Sequence, residues 1–137
     1  MRTTQPPLFS PETEWVMPDE LKDLTHYKEI AVDLETYDPN LTVSGSGSVV
    51  GNGHIAGVAL AVEGWSGYYP IGHENGGNMD TTLVFSWLRD LFKDSNKTFI
   101  FHNAMYDVCW LRSNGMHIAG KIVDTMIAAS LINENRL

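Results

Sequence analysis

Two short clusters of oxygen-bearing side chains stand out in the sequence. Asp33 and Glu35 lie two residues apart in KEIAVDLE, and on a strand such residues project from the same face. Two carboxylates a few ångströms apart repel each other unless a cation sits between them. Asn103 and Asp107, four residues apart in HNAMYD, share one face of a helix, within the first turns where the helix dipole favours a carboxylate. Each pair also has a plain structural account: acids alternate on any half-solvated strand, and asparagine is a common helix N-cap. Taken together they predict more. If the strand carrying Asp33 lies beside the strand ending at His102, then Asp33, Glu35 and Asp107 converge on one acidic spot. All-oxygen donors with no converging Cys or His suit Mg2+ or Mn2+ better than Zn2+, and such a spot has room for two ions.

The elements that must position these residues follow from hydrophobic periodicity. Lys28 to Glu35 alternates, with Ile30, Val32 and Leu34 on one face, which predicts a strand. HIAGVALAVE (54–63) and GYYPI (67–71) read as two further strands joined by a turn at Gly64 to Gly67. Between the first two, Asp38 to Gly53 is rich in Gly, Ser and Asn and is expected to be a flexible loop standing away from the core. Thr81 is expected to cap a helix bearing the apolar stripe Val84, Trp87, Leu88, Leu91, Phe92. KTFIFH (97–102) reads as a strand passing directly into a helix over Asn103 to Ser113, closed by Asn114-Gly115. From Asp124 the chain is apolar nearly all round, the pattern of a buried helix. Residues 1 to 27 hold four of the six prolines and predict an extended leader with a turn of helix near Asp19 to Leu24. Residues 28–137 would then form the folded unit. Strand, strand, strand, helix, strand, helix, helix is the order of an α/β sheet that begins as an antiparallel meander and gains a parallel strand through a crossover helix. Ribonuclease H-like folds share this mixed plan.

Composition narrows the function classes. A chain of 137 residues has material for one ordinary domain. Nine Lys and Arg against seventeen Asp and Glu give a charge of −8. That is the wrong sign for holding nucleic acid by phosphate neutralisation alone, so a nucleic-acid role needs metal ions or a basic partner. The lone Cys109 excludes an intramolecular disulfide framework and fits a reducing, cytoplasmic compartment. No apolar run has the length of a signal peptide core or a membrane span.

Residues 30 to 36 (IAVDLET) resemble the first motif, and 102 to 107 (HNAMYD) the second, of the DEDD 3′-5′ exonucleases. The stretch from His102 onward, with Asp124-Thr125, and the segment PIGHENGG are similar to the proofreading domain of family A, DNA polymerase I-type polymerases, with a phage-like cast. The resemblance runs from about Glu29 to the C-terminus. It implies two-metal hydrolysis of the 3′-terminal phosphodiester of single-stranded DNA, releasing nucleoside 5′-monophosphates. In that scheme Asp33 bridges both metals, Glu35 ligates one near the 3′-hydroxyl, and Asp107 holds the second through water. Thr36 and Asn103 fall at substrate-binding positions of the two motifs. The family's third motif, Y-x-x-x-D, is absent: beyond Asp107 there is no tyrosine, and Asp124 is the sole aspartate. Weak or no activity is therefore expected of this chain alone. It reads as part of a truncated or split polymerase whose remainder acts as partner. Such a chain is expected to leave Met126, Ile127, Leu131 and Ile132 partly uncovered. The alternatives are a non-catalytic module of the same fold that binds a 3′ end or a polymerase, and an RNA-directed exonuclease of the same superfamily. Trp65, Tyr68 and Tyr69 are candidates either for base stacking or for the core.

Overall fold

The protein is described from a computed structural model that covers residues 15–133. In chain order the elements are β1 (Glu29–Tyr37), α1 (Leu41–Ser44), α2 (Gly47–Val50), β2 (His54–Val62), β3 (Trp65–Pro70), α3 (Thr81–Phe92), β4 (Thr98–Phe101), α4 (Ala104–Ser113), β5 (Lys121–Asp124) and α5 (Thr125–Ile132). They build one five-stranded sheet in the order β3-β2-β1-β4-β5. The first three strands form the expected antiparallel meander. β4 joins β1 in parallel through the α3 crossover, and β5 joins β4 in parallel. This is the mixed ribonuclease H-like plan. β5 escaped the sequence reading because its four residues, KIVD, are too few to establish a period of two.

The period-two pattern of β1 sorts the sheet into two unlike faces. Ile30, Val32 and Leu34 pair across the sheet with Phe99, Leu60 and Val58, and all six are buried. On that face α3 lays Val84, Leu88, Leu91 and Phe92, and α4 lays Trp110 and Leu111, into a single core. Phe92 meets Phe99 edge-on at 5.0 Å. Each such side chain contributes about 1.5–3 kcal/mol by leaving water. The other face carries small and polar residues, with Ala31 opposite Ala61, Asp33 opposite Ala59, and Glu35 opposite Gly57. An open cavity of about 900 Å3 lies over it, bordered by Trp15, Lys22, Trp65 and Tyr68 on one side and His102 and Thr125 on the other.

Several expectations need correction. The segment 38–53 is not a featureless loop: it forms the two short helical turns α1 and α2, and both carboxylate oxygens of Asp38 accept the Gly47 N–H at 3.1 Å. No helix forms over Asp19 to Leu24. There the backbone is instead pinned to the domain by Lys97, a side chain 5% exposed. Its Nζ donates to the carbonyls of Leu24, Thr25 and Tyr27 at 3.1, 2.8 and 2.6 Å. Leu24 enters the core. The cap of α3 is Asp80, which accepts from the Leu83 N–H at 3.1 Å, while the Thr81 hydroxyl donates to the Ile71 carbonyl. α5 carries the apolar pattern of a buried helix yet has no buried residue, and Met126, Ile127, Leu131 and Ile132 are partly uncovered, as expected of them. Ile127, Leu131 and Ile132 are 56, 83 and 87% exposed, while Met126 and Ser130 are half-buried. No helix among the described residues is long and apolar enough to cross a membrane.

Candidate active site

β1 outruns its parallel neighbour. Pairing with β4 extends only from Glu29 to Ala31, so the backbone of β1 beyond that point has donors on the β4 side with no strand to receive them. α4 begins there. Asp107, in its first turn, turns into the gap, and its Oδ2 accepts the Leu34 N–H at 3.4 Å. Leu34 lies between Asp33 and Glu35, so the second cluster of the sequence is docked against the first. Asp107 is 4% exposed, whereas Asp33 and Glu35 are exposed on the open face.

Burial pushes the Asp107 carboxyl up to about 7. The Leu34 N–H opposes that shift, and the negative charges of Asp33 and Asp124 add to it. Neither of the two ion pairs among the described residues, Lys93–Asp90 and Lys97–Asp94, involves Asp33, Glu35 or Asp107. A buried carboxyl repelled by two others and matched by no Lys or Arg is what a hard cation would neutralise. The all-oxygen donor set fits such an ion. As they stand, however, Asp33, Glu35 and Asp107 are neighbours and not a closed cage: among the described residues no three His, Cys, Asp or Glu side chains are gathered in metal-holding geometry.

The remaining predicted residues flank this junction. Thr36 follows a register shift in β1 at Glu35/Thr36, and its hydroxyl pairs with the Tyr106 hydroxyl at 2.8 Å. Tyr106 also donates to Asp38 Oδ2 at 2.9 Å, tying the α1–α2 segment to α4. Asn103 occupies the cap position of α4 but makes no side-chain capping bond. It is the sole non-glycine residue with positive φ among the described residues, at 65°, a conformation that costs on the order of 1 kcal/mol.

The true cap is Asp124, whose structural part the sequence reading missed. One oxygen accepts the Asn103 N–H at 3.0 Å and the Met126 N–H at 2.9 Å, and the other accepts the Ala104 N–H at 2.8 Å. One carboxylate thus caps α4 and α5 together. Burial would raise the Asp124 carboxyl, but these backbone donors outweigh it and hold the group below the usual carboxylate range. The legible signal was an Asp directly ahead of an apolar helical run. His102 is bonded through Nδ1 to the Thr125 hydroxyl at 3.0 Å. Of the aromatic residues in question, Tyr69 is 1% exposed and belongs to the core, Trp65 packs against that core beside Tyr69, and Tyr68 borders the open face.

A family model described as 3′-5′ exonuclease, of the DNA polymerase A type, matches residues 10–137. The chain belongs to the family A polymerase 3′-5′ exonucleases. A DNA-directed DNA polymerase of Pseudomonas phage M6 is 38% identical over 122 residues, covering 85% of this chain and 18% of the polymerase. This exonuclease chain therefore spans under a fifth of that relative. Among solved structures, Brucella melitensis NrnC is similar in fold, with a TM-score of 0.54 and 24% identity over 80% of this chain and 46% of that one. A form of NrnC with bound Mg2+ gives the same score and identity over 80 and 47%. Its complex with pGG gives a TM-score of 0.52 at 24% identity over 80 and 46%.

Proposed function

We propose that this exonuclease domain hydrolyses the 3′-terminal phosphodiester of single-stranded DNA, releasing nucleoside 5′-monophosphates, with Asp33, Glu35 and Asp107 as ligands of Mg2+ or Mn2+. The observation that carries the reading is the docking of buried, cation-poor Asp107 onto the backbone between Asp33 and Glu35. The Mg2+-bound NrnC structure is in keeping with it.

Divalent ions held by Asp33, Glu35 and Asp107 would lower the pKa of a water and stabilise the leaving oxygen. The chain's own residues do the placing. β1 presents Asp33 and Glu35 from one face, Asp33 at the open cavity, and Asp107 would approach them from the α4 side. Thr36 and Asn103 stand beside these carboxylates, on the strand and at the helix start, where they would contact the terminal nucleotide. With these ligands alone, activity should be weak or absent until the rest of a polymerase completes the site. The expected setting is a bacterial or phage-infected cytoplasm.

The test is shortening of a 5′-labelled single strand by the chain with Mg2+ or Mn2+, alone and with the rest of a phage polymerase supplied in trans. One-nucleotide steps abolished by Asp33→Ala are expected. Metal-dependent retention of an intact strand in both settings would overturn hydrolysis in favour of a non-catalytic binding module, and degradation of RNA in place of DNA would move the substrate class.

A further inference from the structure

The pair Tyr68–His73, on the open face of the sheet, has no part in the function so far. Tyr68 is in the same row as Asp33, through Ala59. Its ring does not stay in that row. A Cβ on Gly57 would collide with Oη and Cζ of Tyr68, so the ring leans over the glycine that pairs with Glu35. A residue with any side chain at 57 would block that path, which gives the glycine a packing reason.

The hydroxyl is held at its far end. Tyr68 Oη is hydrogen-bonded to His73 Nε2. His73 is in turn locked by Asn78, whose Oδ1 accepts the His73 N–H and whose Nδ2 donates to the His73 carbonyl, both at 2.8 Å. Trp15 packs edge-on against the ring at 6.1 Å. The negative charge of Glu35 reaches the phenol: burial raises the Tyr68 hydroxyl first, and Glu35 raises it further.

We propose that Tyr68, oriented by His73, is a positioning residue for Glu35, its hydroxyl steering that carboxylate toward the Asp33 side, where an ion is to be held. When His73 Nε2–H donates to Oη, the phenolic proton is left free for an acceptor other than the imidazole, and Glu35 is the carboxylate whose strand partner, Gly57, lies under the ring. This inference rests on the metal-site reading above.

The test uses Mn2+ alone as probe, with free ion counted by electron paramagnetic resonance and folding checked by thermal unfolding. Tyr68→Phe keeps the ring and removes one hydrogen-bonding group. It should weaken Mn2+ binding about 5- to 10-fold, the equivalent of one hydrogen bond of about 1 kcal/mol. His73→Ala, at an exposed position, should give a smaller loss in the same direction. In a Glu35→Ala background, which removes the acceptor, the Tyr68→Phe loss should vanish, which a merely structural role would not produce. Full-affinity binding by Tyr68→Phe, with Asp33→Ala abolishing uptake, overturns this inference and leaves the metal site standing. Absence of uptake by the unaltered chain overturns both.

Discussion

Replacing Asp107 by Asn keeps an acceptor for the Leu34 N–H and removes the charge. In the metal-free protein this should stabilise the fold, by an amount set by pH. An aspartate that titrates near 3.8 in the open chain and about 7 in the fold is protonated in the native state and ionised in the unfolded one between those values. The unfolded state then binds fewer protons, so stability falls as pH rises through that window and levels off above about 7. Three units correspond to roughly 4 kcal/mol in full. Between pH 5 and pH 8 the advantage of Asp107→Asn over the native chain should widen by about 2–3 kcal/mol. For a domain of this size that is on the order of 6–10 °C in unfolding midpoint. The assay is urea unfolding of both proteins in a metal chelator at the two pH values. With Mg2+ the native chain should recover stability and the variant should not. A stability difference that stays flat from pH 5 to pH 8 would refute the argument that a charged Asp107 is costly in its buried place.

Two further substitutions probe the supports of the site. Asp124→Ala removes the cap of α4 and α5 at once, and at about 1 kcal/mol per cap it should cost roughly 2–3 kcal/mol in urea unfolding; a loss below half a kcal/mol would contradict the double cap. Lys97→Met keeps the aliphatic stem but leaves the carbonyls of Leu24, Thr25 and Tyr27 without their shared donor. It should destabilise by about 2–4 kcal/mol and speed proteolytic cleavage within residues 15–28. Unchanged cleavage there would mean that Lys97 does not hold the segment.

What the sequence determined by itself was whatever depends on near neighbours in the chain. Alternation in β1 and the apolar stripe of α3 follow from local periodicity, and the face shared by Asp33 and Glu35 follows from strand geometry. The motif pairs told the family for the same reason, since a motif is a local pattern. Tertiary structure decided what depends on which chain segments run out before others. β1 overshoots β4, and that mismatch, invisible in either strand alone, lets Asp107 take the Leu34 N–H and lose its water. β5 exists because an edge was offered, not because KIVD demanded it, and Asp124 became a cap for two helices once that strand set it between their ends. α5 carried the apolar pattern of a buried helix, yet periodicity records only what a helix can bury. Whether anything covers it is settled by tertiary packing.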